Sequence, residues 1–198
     1  MNVIFFIKSL TIDVSKYTIK NIPGSSGRLD VISRCVLAAI IGNNRFEKNL
    51  QIYLFLDRYG TFILDPKNLD YNTFPKNETL FTDYFVDLLQ KGNTPKKHQL
   101  NPLNPIKTSK ISMTEAIEYF QNLNYNIFIL KEGGRDFLAL RKTILKMDNL
   151  LFILGSQEDK FLDSKELLKL KIPTISIGTQ SYLASSVIRL LKLHVLAL

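Results

Sequence analysis

Arg28, Asp30 and Arg34 stand close together in PGSSGRLDVISRCVLAAI, the stretch from Pro23 to Ile40. Arg28 can grip a phosphate or a base edge. The Gly24-Ser25-Ser26-Gly27 turn before it opens a helix, whose free amides favour anions. Plainer roles fit the same residues. Ser26 suits a helix cap, and Asp30 in the first turn is favoured by the helix dipole. Asp30 also precedes Arg34 by four residues, a surface pair worth about 0.2–0.5 kcal/mol. Three more places offer chemistry. Short apolar strands run into glycine at Leu130 to Gly134, at Gly155 to Gln157 and at Ser176 to Ser181. Open parallel sheets bind ligands beyond the carboxyl ends of their strands, and glycine there lets backbone amides come close. None of the three is a dinucleotide or P-loop signature.

The elements that must position these residues follow from periodicity. NVIFFIKS reads as a buried strand, LQIYLFLDRYG as a second, and TFILD as a strand pairing beside it. Leu29, Ile32, Val36, Ala39 and Ile40 make one apolar helix face, stopped by Gly42, Asn43 and Asn44. NETLFTDYFVDLLQKG is a second amphipathic helix. Residues 93–110, with three prolines and four lysines, read as an exposed basic loop in which a short strand can hide. Ser112 with Glu115 is a capping box that starts the next helix. Alternation then sets in: strand and glycine turn in YNIFILKEGG, strand and glycine turn in LLFILGSQ, a helix in KFLDSKELLKLK, strand and glycine turn in PTISIGTQS, and a closing helix. This pattern predicts an α/β fold with a mostly parallel sheet covered by helices. Along the closing helix Leu183, Val187, Leu190, Leu191 and Val195 share a face that Ile188, Leu193 and Leu196 widen. That is more apolar surface than one sheet covers, so a dimer surface is expected there.

Composition narrows the partners. Hydrophobic residues make up 45% of the 198, enough for a real core in one domain. Lys plus Arg is 26 against 18 Asp plus Glu, a net +8. That surplus favours a polyanion, with nucleic acid first, though basic solubility is the simpler alternative. Cys35 is the one cysteine and the two histidines, His98 and His194, lie far apart, so neither a disulfide nor a metal site is expected. Cys35 reads as a buried apolar residue. The amino-terminal stretch lacks the marks of a signal peptide. The closing stretch, interrupted by Arg189, Lys192 and His194, is too short to span a bilayer. An intracellular, cytoplasmic setting without membrane attachment is expected.

Four segments in this order, PGSSGRLDVISRCVLAAI, IFILKEGGRDF, FILGSQEDKFL and ISIGTQSYLASSVI, resemble the archaeal tRNA pseudouridine N1-methyltransferase family (TrmY), of the SPOUT class. The resemblance covers most of the chain and is weakest between residues 60 and 110. It implies a Rossmann-like domain whose carboxyl-terminal part is threaded into a deep trefoil knot, a topology that no strand pattern predicts. It implies S-adenosylmethionine (SAM) as cofactor, a homodimer formed through the C-terminal helix, and methylation of N1 of the T-loop pseudouridine at position 54 of tRNA. Leu130, Gly155, Ser176, Ile177, Gly178, Thr179, Gln180, Ser181 and Val187 fall on its cofactor positions. The Gly27-Arg28-Leu29-Asp30 cluster then faces the target nucleotide. Arg28 and Asp30 are the catalytic candidates, Asp30 by accepting the N1 proton or orienting the base. RNA contacts fall to Arg28, Arg34, Lys96, Lys97 and Lys107, with Lys110 beside them. In-line transfer from a sulfonium requires neither metal nor covalent nucleophile, only alignment.

The chain also departs from that family. After Gly155 the family's Asp-His and glycine are replaced by Ser156, Gln157 and Glu158. Leu183, Ser185, Ser186 and Val187 stand where the family carries a histidine, a polar pair and a cysteine. These changes strip polar side chains from two cofactor loops. Three other activities therefore compete: methylation of ribosomal RNA, as in the related Nep1-like group, methylation of a different nucleoside, and RNA binding without catalysis.

Overall fold

The computed structural model describes residues 1–90, 100–155 and 159–196. Strand β1 (Asn2–Ser9) is the centre of the fold, parallel both to β2 (Leu50–Leu56) and to β6 (Asn149–Gly155). Beyond β6 lie β5 (Asn126–Asp136) and β7 (Thr174–Ser176), also parallel. On the other side β3 (Gly60–Leu64) adds antiparallel to β2, and β4 (Lys107–Ser109) antiparallel to β3. The order is β4-β3-β2-β1-β6-β5-β7.

Both faces of this sheet are covered, which is why β1 is an unbroken apolar run. Val3, Phe5 and Ile7 point into one core with α2 (Leu29–Ile40), α3 (Glu78–Leu89), α5 (Phe137–Ile144) and α7 (Ala184–Leu196). Ile4 and Phe6 point into the other with α4 (Met113–Asn122) and α6 (Lys165–Lys169). Phe6 is fully buried there, with ring centroids of Phe55, Tyr53 and Phe120 at 4.9, 5.1 and 5.8 Å. A short helix, α1 (Ile22–Ser25), precedes α2.

The expected strands are present, the strand hidden in the basic loop is Lys107–Ser109, and the capping box of α4 is made by Ser112 and Glu115. Three readings need correction, and one helix was not expected. The strand through YNIFILKEGG does not stop at its glycines but continues to Asp136. Helix α5 follows it at once, capped by Asp136, whose Oδ1 accepts from the Leu138 amide; the spacing of Phe137, Leu140 and Ile144 carries that helix. KFLDSKELLKLK is a 3-10 segment (Asp159–Asp163) followed by α6, because Ser164 caps a new helix. The buried stripe of α7 is Ser185, Ile188, Leu191 and Val195, so the expected apolar face is rotated. The core takes the stripe centred on Ile188. Leu183 and Leu193 are left outward, 59% and 62% exposed, with Leu190 half-buried.

Lys192 fastens α7 to the end of α2. Its ammonium donates to the Ala38 and Ile41 carbonyls at 2.9 and 2.7 Å and pairs with Glu47 at 3.3 Å. These are carbonyls a helix C-terminus leaves without intrahelical partners. Burial pushes the ammonium below its ordinary value, and Glu47 offsets part of that. Lys192→Met is expected to lower unfolding free energy in urea by about 1–2 kcal/mol, because both partly buried carbonyls lose their donor.

Candidate active site

At the carboxyl ends of β5, β6 and β7 the sheet opens into one cavity of about 440 Å³. The shape comes from an irregularity. Ile175 of β7 pairs with Leu130 and again with Arg135 of β5, so Lys131 to Gly134 bulge out between the two pairings. Gly133 has φ +76°, and a Cβ on Gly134 would lie 2.7 Å from the backbone of Ile175. Gly134 therefore serves a close strand approach and Gly133 the left-handed backbone of the bulge, both inside β5 and not in a terminal turn. The Ser176 hydroxyl closes the seam by donating to the Gly134 carbonyl at 3.1 Å. Past β7 the chain turns at Gly178, φ +81°, and runs along the cavity into α7.

Leu130, Gly155, Ser176, Ile177, Gly178, Gln180, Ser181 and Val187 all line this cavity. Thr179 is exposed and is not on its wall. Sequence reasoning missed Lys131 and Glu132 on the bulge, Asp163 on the 3-10 segment, Tyr182, and Val31 of α2. The bulge could have been suspected from two successive glycines inside a strand pattern; Asp163 and Val31 carried no signal.

The first turn of α2 is built differently from a free helix terminus. Asn21 Oδ1 accepts from the Gly24 amide. The buried Ser26 hydroxyl donates to the Ile22 carbonyl and accepts from the Leu29 amide at 3.1 Å. The expectation that these amides hold an anion is thus corrected for Gly24 and Leu29, whose N–H groups are already used. Gly27 has φ +60°, and its carbonyl accepts from the Thr11 hydroxyl at 3.0 Å. Arg28 follows in the left-handed region too, at φ +69°.

That backbone turns Arg28 onto Asp30. Its Nε and Nη2 donate to the two carboxylate oxygens, each at 3.0 Å. Arg34 Nη2 donates to Oδ2 at 2.8 Å and its Nε lies 3.7 Å from Glu78. The Asp30 side chain is only 4% exposed, while Arg28 and Arg34 are 40% and 35% exposed. The expected surface pair is therefore a buried carboxylate clamped by two half-exposed guanidiniums. The hydrogen bond to Asp30 is the main cause holding the Arg28 guanidinium above its ordinary value. Val31 joins the two features, since it lines the cavity one residue from Asp30.

Arg34 also borders a wider groove of about 740 Å³ between α2, the start of α3 and α7, with Lys76 and Arg189 on its walls. Lys96 and Lys97 lie outside the described residues. Lys107 is exposed on β4, at the opposite edge of the sheet, four strand spacings or about 19 Å from β6. It is not brought to the cavity. Cys35 is fully buried, and desolvation pushes its thiol up to about 12, so it offers no thiolate. Among the described residues no group of three or more His, Cys, Asp or Glu is placed to hold a metal, and no helix is long and apolar enough to cross a membrane.

Known proteins resemble this chain along nearly its whole length. A tRNA (pseudouridine(54)-N(1))-methyltransferase of Pyrococcus abyssi is 26% identical over 191 residues, covering 90% of this chain and 89% of its own. The protein of the same name from Thermococcus onnurineus is 25% identical over 181 residues, covering 87% and 85%. The crystal structure of Archaeoglobus fulgidus Nep1 bound to S-adenosylhomocysteine superimposes with a TM-score of 0.64 over 98% of this chain and 97% of that one. At 15% identity, it is the fold that the two share. The family described as SAM-dependent RNA methyltransferase matches residues 2–198. With that match over its length, the chain belongs to the SAM-dependent RNA methyltransferase family.

Proposed function

We propose that this chain transfers the methyl group of SAM to N1 of the pseudouridine at position 54 of tRNA, in the cytoplasm. The cavity suits the cofactor. Its volume falls within the roughly 300–1,000 Å³ of small-molecule sites, and Leu130, Leu154, Ile175 and Ile177 give it an apolar wall for an adenine. The glycine-bearing turn from Ser176 to Ser181 brings main-chain groups to the same wall. When bound there, SAM supplies an electrophilic methyl on a sulfonium. The chain's own residues bind and align.

The observation that carries this reading is the clamp beside the cavity. Asp30 spends both oxygens on arginines, so its role is to position Arg28 and not to remove the N1 proton. With Nε and Nη2 held on Asp30, the half-exposed Arg28 keeps its Nη1 donors for the nucleotide. A planar guanidinium held this way suits a phosphate or a base edge. Arg34 and Arg189 extend the cationic surface along the adjoining groove, and Lys107 would contact RNA at the far edge of the sheet.

The same reading includes one domain, a knot and a homodimer. Although β7 follows β6 in the chain, it pairs on the far side of β5, and α7 then returns to α2. That path supports threading of the carboxyl-terminal segment. The outward Leu183, Leu190 and Leu193 support a dimer contact through α7. The test of function is nucleoside mass spectrometry of T-arm transcripts incubated with the purified chain and SAM. N1-methylpseudouridine is expected from the transcript with pseudouridine at position 54 and not from its uridine counterpart. Modification of ribosomal RNA fragments alone would reassign the substrate, and no methylated product from any RNA would overturn the reading.

A further inference from the structure

The charged side chains on the cavity wall, among the described residues, are Lys131, Glu132 and Asp163. Lys131 Nζ pairs with Asp163, linking the β5 bulge to the 3-10 segment after β6. Both side chains are well exposed, at 40% and 59%. An ion pair this open contributes about 0–1 kcal/mol, so opening it costs little. Its two halves are nonetheless fixed in place, Lys131 by the bulge that Gly134 allows and Asp163 at the end of its 3-10 segment, just before the Ser164 cap of α6.

We propose that the Lys131–Asp163 pair is the subsite for the amino-acid end of the cofactor. This rests on the cofactor reading of the cavity. That end of SAM carries one carboxylate and one ammonium close together. Lys131 takes the carboxylate, and Asp163, with Glu132 beside it on the wall, takes the ammonium. The protein's own ion pair is exchanged for two charge-assisted contacts to the ligand, and the amino-acid end itself adds no net charge to the rim. This supplies polar recognition that the sequence lacks at Leu183 and Val187, where the cavity wall is apolar. The apolar wall then holds the nucleoside, and the rim selects for a zwitterionic tail.

Calorimetry with the full chain tests this, using S-adenosylhomocysteine and 5′-methylthioadenosine, which lacks the amino-acid end. The wild-type chain is expected to prefer S-adenosylhomocysteine. Lys131→Met is expected to weaken that ligand by about tenfold or more, the scale of a lost charge-assisted hydrogen bond, and to leave 5′-methylthioadenosine within about twofold. A double variant, Lys131→Glu with Asp163→Lys, restores the ion pair with reversed polarity and is expected to stay weak. Recovery of wild-type affinity in that variant would show a mere strap and overturn the proposal. Equal weakening of both ligands by Lys131→Met, or no change in either, would overturn it too, as would equal wild-type affinity for the two. Binding of neither ligand by the wild-type chain would instead remove the cofactor reading itself.

Discussion

Asp30→Asn is expected to reduce methylation of tRNA by about 100-fold, the scale of a reacting group misplaced by about an ångström, while S-adenosylhomocysteine affinity stays within about twofold. The amide keeps one acceptor oxygen but turns an N–H pair toward guanidiniums that can only donate. Arg28 then loses its two-pronged hold, and its left-handed backbone is no longer rewarded by a contact. Breaking a buried pair costs about 3–5 kcal/mol. Both arginines are partly exposed here and can turn to water, so about 2 kcal/mol of stability loss is expected. Comparison with Arg28→Ala separates the two roles open to Asp30. If Asp30 acts only through Arg28, the double variant is no slower than Arg28→Ala alone. A multiplied loss in the double variant would make Asp30 an acid–base participant in its own right.

Gly27→Ala is expected to be the most destabilising exchange in the loop before α2. A Cβ there would lie 1.8 Å from the Thr11 carbonyl oxygen and 2.6 Å from its carbon, backbone atoms that no rotamer can move aside. Left-handed geometry adds about 1–2 kcal/mol for a residue with a side chain, and forced displacement of packed groups about 1–3 kcal/mol. A loss of about 3 kcal/mol in denaturant unfolding is the expected sum. The damage is directional, because Thr11 binds the Gly27 carbonyl and the next residue is Arg28. RNA methylation should therefore fall even at temperatures where the variant is folded, while Ser26→Ala, which removes the hydroxyl's bonds to the Ile22 carbonyl and the Leu29 amide, should cost about 2 kcal/mol.

The sheet and most of its helices were legible because their apolar patterns are strong. β1 has no polar interruption between Val3 and Ile7, and α2 keeps three- and four-residue spacing throughout. The cavity was legible through its glycines, and eight of the nine expected cofactor residues, all but Thr179, line it. What was not legible depends on long-range pairing. The β5 bulge exists because Ile175 pairs twice, a fact of register that local sequence does not encode. Lys131 and Asp163 meet across 32 positions of chain. The surroundings of Asp30 were not legible for the same reason. Its spacing to Arg34 suggested a surface pair, whereas the left-handed turn at Gly27 and Arg28 folds a second guanidinium onto a carboxylate already buried by α2 packing.

The central claim is that three strand ends form the cofactor site next to the arginine clamp. Diffraction from a crystal soaked with S-adenosylhomocysteine tests it most directly. The account predicts ligand density inside the cavity bounded by Leu130, Gly155 and Ile177, with its amino-acid end at Lys131 and its sulfur on the side nearest Val31. Density at any other place on the protein, or an empty cavity under saturating ligand, would contradict it.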